Sequence, residues 1–142
     1  MNPRLIFLVD DDPDDIMLIK EAINTVDGNF EFQEAKDGRH ALSFLRALDS
    51  VDKHPCLLVL DINMPILGGR DLLAIIKNDP GLKHIPIVVF STSSNPADVE
   101  YCKQFNVELI TKPFDMTLLI NAARQLVSYC ANSSGSADMQ RN

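Results

Sequence analysis

The chain has no run of roughly 20 apolar residues, the length a membrane-spanning helix requires, so a membrane protein is excluded. It has no Lys/Arg run to offset a formal net charge of −7, which excludes a protein that grips nucleic acid by its phosphates. Residues 1–10 carry one arginine and no small-residue cleavage site, so they do not read as a secretory signal, and the cytoplasm is the expected compartment. Cysteine is sparse. Cys56, Cys102 and Cys130 are three in number and widely spaced, which argues against a disulfide framework and a zinc cluster and predicts reduced thiols. His40, His54 and His84 have no ligand spacing with each other or with cysteine and read as surface or loop histidines. Linkers and longer repeats are missing too, and 142 residues at 46% apolar and 23% charged suit one soluble domain.

What the chain does contain alternates between two periodicities. Residues 5–9 are a continuous apolar run, residues 12–26 carry Ile16, Ile19, Ile23 and Val26 at helical spacing, and residues 30–35 put Phe30 and Phe32 on one strand face. The alternation continues with helix 38–48, strand 56–60, helix 69–78, strand 87–90, helix 95–105, strand 107–110 and helix 115–130. Strands alternating with helices in this way predict an α/β fold of parallel strands joined by right-handed crossovers. The first, third and fourth strands are apolar throughout, as strands covered on both faces are, whereas "FEFQEA" alternates and "VELI" is short. The second and fifth strands therefore fall at the edges of a doubly wound five-stranded sheet of order 2-1-3-4-5, in which ligands lie beyond the carboxyl ends of the central strands. Residues 131–142, "ANSSGSADMQRN", are small, polar and aperiodic, and predict a disordered tail behind a domain of residues 1–130.

The stretch "FLVDDDPDD" packs five carboxylates into six positions after the first strand. Asp12 before Pro13, with Asp14 and Asp15 in the first turn, is what a helix N-terminus favours. Asp10 and Asp11 are not explained that way, because carboxylates held together at the end of a buried strand are costly without a cation. "LLVLDINMP" ends the third strand with Asp61, "IVVFSTSS" ends the fourth with Ser91, and "ELITKPF" ends the fifth with Lys112. Each residue alone has an ordinary explanation as a turn or cap. In the inferred strand order they converge on one rim, which predicts a functional site.

"LVDDD", "LVLDINMP", "VVFSTSS" and "TKPF", in that order and spacing, resemble the receiver domain of two-component response regulators over roughly residues 4–130. The stretch "IKNDPGLKHIPIVVFSTS" further resembles the single-domain, phytochrome-associated type. The resemblance implies the flavodoxin-like, CheY-like architecture and a phosphoryl switch. Asp61 would accept the phosphoryl group from a sensor histidine kinase or a phosphotransfer protein. Asp10 and Asp11 would hold Mg²⁺ with Asp61 and the backbone carbonyl of Asn63, and Ser91 and Lys112 would bind phosphoryl oxygens. Such a protein is not an enzyme in the usual sense, since it catalyses only its own phosphorylation and dephosphorylation. Hard oxygen donors, few enough to leave room for water and a phosphoryl oxygen, suit Mg²⁺ independently of the family.

The pattern departs from the family at Leu109, where an aromatic residue usually moves with the switch hydroxyl, so the readout is expected to depend more on the loop and helix near residues 91–95. Met64 and Phe114 flank the rim and read as packing residues, while the family raises a cis Lys112–Pro113 bond that sequence alone leaves open. A phosphatase built on the same acids would need a second acid two residues after the nucleophile, and Asn63 stands there. A purely structural α/β module would need no acid rim. With no output module in the last residues, the signal is expected to leave through a surface, by homodimerisation through the fourth helix, fifth strand and fifth helix or by altered binding to another protein.

Overall fold

The computed structural model describes residues 4–64, 66–92 and 95–138, those of 131–138 by backbone alone. Strands β1 (Arg4–Val9), β2 (Phe30–Ala35), β3 (Leu57–Leu60), β4 (Ile87–Ser91) and β5 (Glu108–Thr111) alternate with helices α1 (Pro13–Val26), α2 (Gly38–Ala47), α3 (Gly69–Lys77), α4 (Pro96–Gln104) and α5 (Met116–Asp138). The strands form one sheet in the order β2-β1-β3-β4-β5, with every pairing parallel. This is the order expected from strand texture: β1, β3 and β4 are buried almost throughout, and β2 and β5 lie at the edges.

Because successive strand side chains point to opposite faces, β1 feeds two cores. Phe7 and Val9 join Leu58, Leu60, Leu45, Leu72 and Ile76 under α2 and α3. Ile6 and Leu8 join Leu57, Val59, Ile19, Ile23 and Leu126 under α1 and α5. The helical spacing of Ile16, Ile19 and Ile23 gives α1 its buried stripe, and α1 and α5 cover the same face. Among the described residues no helix is long and apolar enough to cross a membrane.

One expectation is corrected. Cys56, just before β3, and Cys130, on α5, form a disulfide with Cα atoms 5.1 Å apart; only Cys102 is free, and it is buried. Wide spacing misled here because α5 folds back over the start of β3, bringing together residues 74 positions apart. Helix α5 runs to Asp138, into the segment that follows the expected domain. Residues 131–138 contain no proline to stop it, and residues 139–142 of the expected tail lie outside the described residues. No peptide bond among the described residues is cis, so the Lys112–Pro113 bond, which the sequence left open, is trans.

Candidate functional site

The rim is built by the last rungs of the sheet. Asp10 N donates to Ala35 O at 3.0 Å, Asp61 N to Val9 O at 2.9 Å and Lys112 N to Ser91 O at 2.8 Å, so each residue is fixed by its backbone just as its strand ends. Asp12 takes the capping role expected of it: its side chain accepts from Asp14 N and Asp15 N, and Pro13 occupies the first turn of α1. That turn holds the chain so that Asp12 N also donates to Asp10 Oδ1 at 3.0 Å.

The predicted acids meet. One carboxylate oxygen from each of Asp10, Asp11 and Asp61 lies within 4.8 Å of the others, with Asp10 and Asp61 buried and Asp11 exposed. Asn63 N donates to Asp61 Oδ1 at 3.2 Å, while Asp61 Oδ2 lies 3.6 Å from Lys112 Nζ. Lys112 donates to Asp10 Oδ2 at 2.6 Å and to Asp15 Oδ2 at 2.8 Å. Ser91 is fully buried at the end of β4.

Burial pushes the Asp10 carboxyl up to about 6, with the charge of Asp61 adding and the bonds from Lys112 and Asp12 N–H opposing. Burial alone would lower Lys112, but its bonds to Asp10 and Asp15 and the charges of Asp10 and Asp61 raise it, so it stays an ammonium. Acids outnumber the cation here. Three hard carboxylate donors facing one another, with two of them buried, are the donor set and the electrostatic imbalance that suit a small divalent cation.

The loop between Asp61 and α3 is tightly held. A Cβ on Gly69 would meet Asp61 O at 2.4 Å and Ile62 Cα at 2.5 Å, and one on Gly38 would meet Leu67 O at 2.5 Å. Gly69 N donates to Ile62 O and Gly38 N to Leu67 O, at 3.2 and 3.0 Å. Ile66, in the same loop, has φ 68°, the left-handed region that a β-branched residue seldom adopts. Met64 packs against the core as expected, but Phe114 does not: it is 98% exposed, because the loop after Pro113 turns its ring away from the sheet. Sequence reasoning also missed Asp15 as a lysine partner. Asp15 lies in the first turn of α1, where the sequence explains it fully as negative charge at a helix N-terminus.

The family model described as the response regulator receiver domain matches residues 6–124. The chain belongs to this family. As a receiver it is similar to response regulator Rcp1 of Synechocystis sp., 34% identical over 130 residues, spanning 89% of this chain and 88% of that one. It is also similar to the probable methanogenesis regulatory protein FilR2 of Methanothrix harundinacea, 30% identical over 131 residues, 90% of this chain and 84% of the other. Among solved structures, the phosphorylated cyanobacterial phytochrome response regulator RcpA matches with a TM-score of 0.81 and 35% identity, covering 92% of this receiver and 96% of RcpA. The Mn²⁺-bound form of Rcp1 matches with a TM-score of 0.78 and 34% identity, covering 89% and 93%. Receivers of two-component systems interact with sensor kinases or phosphotransfer proteins and bind a divalent metal at an acidic pocket of this kind.

Proposed function

We propose that this receiver takes a phosphoryl group from a phosphohistidine of a sensor kinase or phosphotransfer protein onto Asp61. The observation that carries the reading is the meeting of Asp10, Asp11 and Asp61 within 4.8 Å beside a buried lysine. An Asp61 carboxylate oxygen attacks phosphorus, a P–O bond forms, and the P–N bond to the donor imidazole breaks. A carboxylate needs no general base for this, since it is already the nucleophilic form. Asp10, Asp11, Asp61 and the carbonyl of Asn63 would hold Mg²⁺, which supplies positive charge against the phosphoryl oxygens when bound. Lys112, fixed by Asp10 and Asp15, needs only a side-chain rotation to place its ammonium on a phosphoryl oxygen. The Ser91 hydroxyl would bind another, and its movement begins the response.

Asn63 in place of an acid disfavours turnover of external phosphoesters, so the chemistry is phosphorylation and dephosphorylation of the chain's own aspartate rather than catalysis on a substrate. Transfer from a sensor kinase places the receiver in the cytoplasm, where a disulfide is uncommon. Residues 1–130 act as the receiver unit, and output leaves through homodimerisation at the α4–β5–α5 surface, with altered binding to a separate protein as the rival. Asp61→Asn should abolish acid-labile, base-labile labelling by a phosphorylated kinase or by acetyl phosphate; labelling of that variant at the wild-type rate would reject the assignment. Light scattering with and without beryllofluoride in Mg²⁺ separates the two outputs, because an unchanged monomer mass rejects dimerisation.

A further inference from the structure

Leu109 leaves this receiver without the aromatic side chain that would follow the switch hydroxyl, yet two loops bracket the phosphoacceptor and their far ends are tied together. One loop leads from Asp61 to Gly69 and α3; the other leads from Ser91 to Asn95 and α4. Arg70, in the first turn of α3, pairs with Asp98, in the first turn of α4: its Nε donates to Asp98 Oδ1 at 3.1 Å and its terminal nitrogen contacts the same oxygen. Asp98 is buried and Arg70 is exposed, so the clasp holds a carboxylate inside the fold with a guanidinium at its mouth. One turn further along α4, the Tyr101 hydroxyl donates to Arg70 O at 2.8 Å, and the Arg70 guanidinium lies 5.2 Å from the Tyr101 ring centre. The Tyr101 ring in turn meets Phe105 edge-on at 5.2 Å.

The near end of the same path has no slack. Gly69 sits so close to Asp61 O and Ile62 Cα that a methyl group has no room, and Gly69 N is bonded to Ile62 O. A shift of the Asp61 backbone is therefore passed directly to the residue that precedes Arg70. Movement of Arg70 is felt at α4, because its guanidinium donates to the buried Asp98 carboxylate and its carbonyl accepts from the Tyr101 hydroxyl.

We propose that Arg70, Asp98 and Tyr101 are positioning residues that carry the phosphorylation state of Asp61 to α4, in place of the aromatic that Leu109 replaces. The inference rests on the receiver reading. Phosphorylation adds charge and bulk at Asp61, the short path through Gly69 displaces the first turn of α3, and the clasp makes the first turn of α4 follow. Tyr101, bonded to the Arg70 backbone and stacked under its side chain, reports the movement.

The chain has no tryptophan and two tyrosines, so in a Tyr129→Phe background the intrinsic emission belongs to Tyr101. Acetyl phosphate with Mg²⁺ should change that emission in step with phosphorylation, measured by mass on the same samples. Adding Arg70→Ala, which leaves the Arg70 carbonyl in place for the tyrosine hydroxyl, should cut the amplitude more than twofold while the rate of Asp61 phosphorylation stays within twofold. Asp98→Asn should do the same, and Arg70→Lys should restore part of the amplitude. A full response in both Arg70→Ala and Asp98→Asn, or an unchanged Tyr101 emission at complete phosphorylation, overturns the clasp and leaves the receiver reading intact. Absence of phosphorylation in the parent protein overturns both.

Discussion

Reducing the Cys56–Cys130 bond tests how far the base of the sheet depends on it. The bond closes a loop across 74 positions, and the loop-closure model assigns such a crosslink about 4 kcal/mol, through the freedom it denies the unfolded chain. Folded-state contacts change little, since Cys130 stays fully buried on α5 within the core under α1 and α5. Unfolding entropy of about 2 cal/mol/K per residue gives roughly 0.3 kcal/mol/K for 142 residues. The melting temperature should therefore fall on reduction by on the order of 13 °C. The assay is thermal and urea unfolding with and without a phosphine reductant, with a thiol count in denaturant to establish that reduction is complete. The urea slope should also rise, because an uncrosslinked chain exposes more surface when it unfolds. Complete reduction with a midpoint shift below about 3 °C, less than 1 kcal/mol on the same scale, would refute the reasoning, as would a Cys56→Ser variant that melts with the oxidised protein.

Replacing Ile66 by glycine should raise stability by on the order of 1 kcal/mol in urea unfolding, since relief of the left-handed strain exceeds the entropy that glycine adds to the unfolded chain; a loss of stability would contradict the strained loop. Asp11→Ala should weaken Mg²⁺ binding by on the order of tenfold or more in calorimetry, because on the proposed assignment a direct oxygen ligand is lost; unchanged affinity would reassign Asp11 to the solvated surface. For the same site, Mg²⁺ affinity should drop as pH falls through about 6, where Asp10 takes up a proton that competes with the cation, and a flat profile between pH 5 and 7.5 would contradict that. His54 is held below 6.5 by burial and by the charge of His84, whose Nε2 lies 2.9 Å from His54 Nδ1. Since the unfolded chain protonates first, the stability tied to His54 is present above about 6.5 and lost on acidification; NMR titration should find its midpoint low and moved upward in His84→Asn.

The fold was legible because each element announced itself locally: continuous apolar runs for β1, β3 and β4, a helical stripe at Ile16, Ile19 and Ile23, and the alternation of "FEFQEA" at an edge. The rim was legible because a parallel sheet sends every carboxyl end the same way, so Asp10, Asp61, Ser91 and Lys112 needed only the strand order to be brought together. What escaped depended on which helix lies over which. The bridge from Cys56 to Cys130, the pairing of Arg70 with Asp98 and the reach of Asp15 to Lys112 all join elements whose relative angle and rotation leave no periodic trace in the chain. Phe114 escaped for the opposite reason: an apolar residue just after a strand is expected to pack, and a single loop turn decides otherwise.

Loops are ordinarily where related chains gain and lose residues most freely, but the segment from Asp61 to Gly69 is closed to such drift. Gly69 is pressed against the carbonyl that begins the segment, and Gly38, at the start of α2, is pressed against Leu67 near its end. The segment is thus gauged at both ends by close contact with backbone. An added residue, or a side chain at Gly69 or Gly38, would displace the end of β3 or Leu67, so among lineages descended from this sequence the spacing between Asp61 and Gly69 should stay constant while surface loops elsewhere lengthen and shorten.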